Sequence, residues 1–174
     1  MTYQQEYISR SESLTKSFGR ILGAHAVDGL VLALQGDLGA GKTHLAQGLA
    51  EGLGIGGTIA SPTFTILNEY EGEGHPSFHH FDWYRLEQVE ELENVGFYEY
   101  GTEGVTLIEW ADRFRDEVPL QAIWIHLEKT ADDAVRKIIV NVPERRIAWW
   151  KGVDADVVST GYFGADFDGG HHGR

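Results

Sequence analysis

Gly36-Asp37-Leu38-Gly39-Ala40-Gly41-Lys42-Thr43 decides the reading of this chain, because it fits G-x-x-x-x-G-K-[ST] in the setting that pattern requires. Upstream, Leu30-Val31-Leu32-Ala33-Leu34 is a continuous apolar run and predicts a buried strand. Downstream, Lys42 to Leu53 predicts a helix with Leu45, Leu49 and Leu53 on one face, ended by Gly54. Glycines let the backbone wrap closely enough to aim successive N–H groups at phosphate oxygens. The helix starting near Lys42 adds its positive N-terminal end. The Lys42 ammonium is expected to reach the β- and γ-phosphates of a nucleotide, and the Thr43 hydroxyl to ligate Mg²⁺. Gly36, Asp37, Leu38, Gly39, Ala40, Gly41, Lys42, Thr43 and the following His44 are thus the expected nucleotide-binding run.

Working outward, Leu14, Phe18, Ile21, Leu22 and His25 recur at helical spacing and predict an amphipathic helix over residues 11–25. Residues 56–65 read as loop, leading into a strand over 64–70 and a turn at 71–76. A strand follows over 77–84, a short helix over 89–95 closed by Gly96, and a buried strand over 105–108. A helix over about 110–115 and two late strands, 123–127 and 137–142, complete the order. This alternation predicts an α/β, P-loop NTPase-like three-layer fold, a mixed sheet flanked by helices. The chain of 174 residues suits a single domain, with residues 1–152 as the ATPase domain. Beyond Val153 the composition turns rich in Gly and Asp, and residues 153–174 are expected to be a flexible tail.

Composition excludes several classes. There is no cysteine, hence no disulfide framework or thiolate metal site, which suits a reducing cytoplasm. No stretch approaches the ~20 apolar residues of a membrane span. The formal net charge of −13 repels polyphosphate chains, so any nucleic acid is expected to be reached through a partner. The three asparagines, Asn68, Asn94 and Asn141, are followed by Glu69, Val95 and Val142, so the N-K-x-D guanine reader is missing and ATP is favoured over GTP.

Other motifs supply candidates for the chemistry. Val105-Thr106-Leu107-Ile108-Glu109 ends in a carboxylate where a strand neighbouring the loop's own would hold the metal's water shell. Ser61-Pro62-Thr63-Phe64-Thr65 offers hydroxyls of the kind that order on a triphosphate. His80-Phe81-Asp82-Trp83-Tyr84-Arg85 offers Asp82 to orient an attacking water. His79 and His80 are strand neighbours pointing to opposite faces, which argues against a metal cluster with His75. Arg145 to Lys151 is a basic-aromatic stretch, read as a final helix or strand packing its two Trp on the core.

Taken together, GDLGAGKT (36–43), SPTFT (61–65), HFDWYR (80–85) and TLIEWADR (106–113) resemble the bacterial TsaE (YjeE) family from about residue 11 to 142. The resemblance implies a small Mg²⁺-dependent ATPase, weak alone and stimulated by partners. It implies work with the TsaB and TsaD proteins in forming threonylcarbamoyladenosine in tRNAs that read codons beginning with A. It further implies that Thr43 and Glu109 hold Mg²⁺, that Lys42, Asp82, Thr63 and Thr65 serve hydrolysis, and that Thr15 and Arg136 lie near the adenine of bound ATP or ADP. The competing expectation is a small-molecule or nucleoside kinase. That reading needs a lid with several Arg, for which Arg113 and Arg115 are the available pair outside Arg145-Arg146.

Overall fold

The computed structural model describes residues 2–57, 59, 61–71, 74–100 and 103–164. Its strands are β1 (Thr2–Ser9), β2 (Val31–Gly36), β3 (Leu67–Tyr70), β4 (Phe78–Asp82), β5 (Val105–Glu109), β6 (Ile123–Lys129) and β7 (Arg136–Pro143). They form one sheet in the order β1-β7-β6-β2-β5-β4-β3. The central strands are parallel, with β2 between β6 and β5, and β4 beside β5. The flanks are antiparallel, with β7 pairing both β6 and β1, and β3 pairing β4. The mixed sheet expected from the element order is therefore present, and β6 and β7 are antiparallel neighbours in it.

The apolar run before the loop is explained by burial on both sides. Leu30, Leu32 and Leu34 enter a core beneath the helices α1 (Glu12–His25), α2 (Lys42–Gly52) and α5 (Ile147–Ser159). Val31 and Ala33 enter a second core on the other face, with Phe81, Trp83, Leu92, Phe97 and Ile108. That face carries the short helices α3 (Glu91–Asn94) and α4 (Phe97–Tyr100) and a 3-10 segment, Ala111–Glu117. The segment expected as a helix over about 110–115 takes this tighter form, and Phe114 breaks it with a non-helical φ of −133°.

Helices α1 and α2 approach each other through glycines. A Cβ on Gly19 or Gly23 would stand 2.2 Å from Leu45 O or 2.3 Å from Leu49 O. One on Gly48 or Gly52 would stand 1.9 Å from Lys16 O or 2.2 Å from Arg20 O. Each helix thus places two glycines four residues apart, on the face that meets its neighbour. Ser11 caps α1 by accepting from the Leu14 N–H, and Lys16 and Arg20 pair with Glu51 across the two helices.

The structure corrects the expected boundary at residue 153. Helix α5 runs through it to Ser159, and Val153, Val157 and Phe163 are buried in the first core. Trp150 is fully buried and donates from Nε1 to the Tyr7 hydroxyl, which donates to Asp154. Burial, reinforced by that carboxylate, pushes the Tyr7 phenol above its ordinary range. Trp149 donates to the His25 carbonyl at the end of α1. The Phe163 carbonyl accepts from the Ile8 N–H, so the chain stays docked on β1 up to that point. Residues 165–174 of the expected tail, with His171 and His172, lie outside the described residues. Strand β1 carries no apolar alternation of its own, since Thr2, Tyr3, Gln4 and Glu6 are exposed at the sheet edge.

Candidate active site

The loop after β2 is shaped by contacts that exclude side chains. A Cβ on Gly36 would lie 2.6 Å from the Leu127 carbonyl of β6. Gly41 caps α2 with a φ of 105°, where an L side chain is strained. Arg136, at the start of β7, donates to the carbonyls of Gly39 and Ala40 at 3.1 and 3.2 Å, and to those of Asp133 and Val135. Four backbone carbonyls therefore share one guanidinium. Lys42 is only 6 % exposed and donates to the carbonyls of Gly36 and Asp37 at 2.5 and 2.9 Å. Its ammonium lies 4.3 Å from the centre of the Trp110 ring. Burial lowers its pKa, while Glu109 and Asp82 oppose that shift.

The two carboxylates come from adjacent parallel strands, where Asp82 of β4 and Glu109 of β5 are register partners. Both are 3 % exposed. Asp82 accepts from the Tyr84 N–H through Oδ1 at 2.9 Å and from the Thr63 hydroxyl through Oδ2 at 3.2 Å. Burial raises its pKa, and the neighbouring Glu109 adds to the rise. Glu109 Oε2 stands 2.6 Å from His80 Nε2. Trp110, next in sequence, adopts a φ of 59°, an unusual conformation for a bulky residue. This turn swings its ring toward Lys42 and against Tyr84, 4.9 Å away.

These groups open on one cleft of about 260 Å³. Of the expected residues, Thr15, Leu38, Gly39, Gly41, Lys42, Thr43, His44, Thr63, Asp82, Glu109 and Arg136 line it. Gly36 and Asp37 serve it from behind, through the carbonyls that hold Lys42. Ala40 is fully buried and contributes its backbone. Thr65 stands apart, with its hydroxyl donating to Asn68 on the exposed side of the loop. Glu12, Ser61, Trp110 and Ala134 also line the cleft. Glu12 lies 3.4 Å from His44, and Ser61 bonds Thr63 at 2.8 Å. Ser61 was legible in the S-P-T turn, whereas Glu12 was hidden because only the α1–α2 packing carries it to the loop. The donor set of Thr43, Asp82 and Glu109 is all hard oxygen, which suits Mg²⁺. The histidines diverge, since His79 bonds the Glu103 carbonyl, His75 the Pro76 carbonyl and His80 the Glu109 carboxylate.

Neither Arg113 nor Arg115 reaches the cleft. Arg113 donates to the Leu86 carbonyl, and Arg115 lies over Trp124 and bonds Gln35. The arginine lid that a kinase needs therefore has no counterpart in this pair. No helix among the described residues is long and apolar enough to cross a membrane.

The family model for "Threonylcarbamoyl adenosine biosynthesis protein TsaE" matches residues 9–138. The tRNA threonylcarbamoyladenosine biosynthesis protein TsaE of Bacillus subtilis is 43 % identical over 120 residues, covering 68 % of this chain and 74 % of its own. That of Treponema pallidum is 43 % identical over 127 residues, covering 72 % and 92 %. That of Streptomyces coelicolor is 31 % identical over 150 residues, covering 83 % and 99 %. The crystal structure of Bacillus subtilis YdiB superposes with a TM-score of 0.74 at 32 % identity, covering 90 % of this chain and 97 % of that one. The sequence and fold matches thus run along nearly the whole described chain, and the protein belongs to the TsaE family.

Proposed function

We propose that this protein is the ATP-hydrolysing subunit of a tRNA-modifying assembly, acting with TsaB and TsaD proteins to form threonylcarbamoyladenosine. The observation that carries the reading is the convergence of Lys42, Thr43, Asp82 and Glu109 on one cleft. The loop N–H groups cradle the phosphates of ATP, and Lys42 leaves the Gly36 and Asp37 carbonyls to meet the β- and γ-oxygens. Thr43 and Glu109 hold Mg²⁺, which when bound neutralises charge building on the transferred phosphoryl oxygens. Asp82 orients the attacking water, and Thr15 and Arg136 flank the nucleotide.

The state of Asp82 supports a weak activity of the free subunit. Both of its oxygens already accept protein hydrogen bonds, one of them from Thr63 in the loop that carries the exposed Phe64. A partner that draws this loop aside frees Oδ2 for water. Thr65, on the same loop, acts through its position. The net charge of −13 is consistent with tRNA being held by the partners.

The test is ATP hydrolysis by the purified protein with Mg²⁺, alone and with the TsaB–TsaD pair, with Lys42→Ala as control. Stimulation that the variant lacks is expected. Intact ATP binding with no stimulation by the pair would overturn the proposed partnership.

A further inference from the structure

Beneath the cleft, His80 occupies a position that the reading above does not use. It is 1 % exposed, lies on β4 on the same face as Asp82, and does not line the cleft. Its ring stacks on Phe78, with centroids 5.7 Å apart and planes 13° from parallel. Its Nε2 meets Glu109 Oε2 at 2.6 Å, while Nδ1 is buried with no hydrogen-bond partner. A carboxylate oxygen accepts, so the proton of this contact sits on Nε2, and Nδ1 is left without a partner. A buried polar atom without a partner carries a cost, and its retention calls for a reason.

Glutamate has one more rotatable bond than the aspartate commoner at this strand end. Without a partner, the Glu109 carboxylate could turn about that bond toward Lys42 or away from Thr43. The stacked, immobile imidazole holds Oε2 and so fixes the direction of Oε1. We propose that His80 is a positioning residue for the metal site: it aims the Glu109 carboxylate at the Mg²⁺ of bound nucleotide without touching metal or nucleotide itself. This rests on the reading of Glu109 as part of the metal site. Outer partners that hold a metal-binding side chain typically account for about 10–100-fold in metal affinity.

The test compares His80→Phe, which keeps a ring against Phe78 but has no donor, with His80→Gln, whose amide can place an N–H near the position of Nε2. Glu109→Ala serves as reference. The readout is binding of a fluorescent ADP analogue, titrated with Mg²⁺ and repeated in EDTA, with folding checked by circular dichroism. His80→Phe is expected to raise the half-saturating Mg²⁺ concentration about tenfold, leave affinity in EDTA unchanged, and be rescued to within about threefold by glutamine. Should His80→Phe fail to fold, His80→Leu takes its place. Mg²⁺ dependence of the wild-type kind in His80→Phe, with Glu109→Ala impaired, would overturn the role of His80 and leave the metal reading standing. Unchanged Mg²⁺ dependence in Glu109→Ala would overturn the metal reading and the proposal with it. Equal loss of affinity with and without Mg²⁺, or no rescue by glutamine, would assign His80 a purely structural role and overturn the proposal.

Discussion

The same substitution, glycine to alanine, should change stability in opposite directions in two helices of this protein. At Gly152 in α5, an added Cβ would meet nothing nearer than His25 at 3.9 Å. Gly152→Ala should therefore show the bare helix preference of alanine, a gain of about 0.5–1 kcal/mol. At Gly48 in α2, the Cβ would stand 1.9 Å from Lys16 O and 2.8 Å from Lys16 C, far inside the 3.4 Å at which contact becomes ordinary. Those atoms are helix backbone, so no rotamer change relieves the overlap, and α1 must move by about 1.5 Å, the difference between 1.9 and 3.4 Å. Overpacking of this kind costs about 1–3 kcal/mol, at the upper end where backbone must shift. Against the propensity gain, Gly48→Ala should lose about 1–2 kcal/mol net. Urea unfolding followed by tryptophan fluorescence reads this directly. With a slope of about 2 kcal/mol per molar urea for a domain of this size, the midpoint should fall by about 0.5–1 M. A Gly48→Ala midpoint at or above wild type, with Gly152→Ala no higher than Gly48→Ala, would refute the argument that backbone contact sets the α1–α2 distance.

Asp82→Asn should abolish hydrolysis yet stabilise the fold near neutral pH. Burial raises the folded pKa of Asp82, so its stabilising contribution exists below the unfolded value, about 3.9, and is lost as pH rises through the folded value. The variant's advantage in urea midpoint should thus be present at pH 7 and shrink as pH falls toward about 4. Arg136→Gln leaves the Gly39 and Ala40 carbonyls without their guanidinium donor, and should weaken ADP binding about tenfold, or 1.4 kcal/mol, in fluorescence titration. Trp150→Ala should cost about 3–5 kcal/mol in the same urea assay, because the ring is fully buried and its N–H is bonded to Tyr7. Truncation after residue 152, which removes buried Val153, Val157 and Phe163, should likewise lower the midpoint sharply rather than leave it unchanged.

What was legible in the sequence was local. The eight residues from Gly36 to Thr43 carry their own geometry, because glycine conformations, an N-terminal helix dipole and a lysine act within one turn of chain. The run Leu30–Leu34 declared a strand covered on both sides, and Leu45 and Leu49 declared a helix with one buried face. Asp82 was marked by its motif and Glu109 by its place at a strand end.

Tertiary structure decided how these pieces meet. Strand β1 is polar and exposed along much of its length, so no alternation announced it, and pairing with β7 makes it a strand. The start of helix α5 was legible in the two Trp of Arg145 to Lys151, but its continuation past Val153 was hidden by the Gly/Asp-rich composition, and Val153 and Val157 are held by a core assembled from distant strands. Arg136 lies 96 positions from Ala40 in the chain, and its grip on the loop exists because β7 pairs with β6 and β6 lies beside β2. His80 meets Glu109 for the same reason: a parallel pairing of β4 with β5 sets the register, and register is a property of two strands together. Short-range chemistry is written residue by residue, but a contact between strands depends on the free energy of the whole sheet, which no single stretch of this sequence contains.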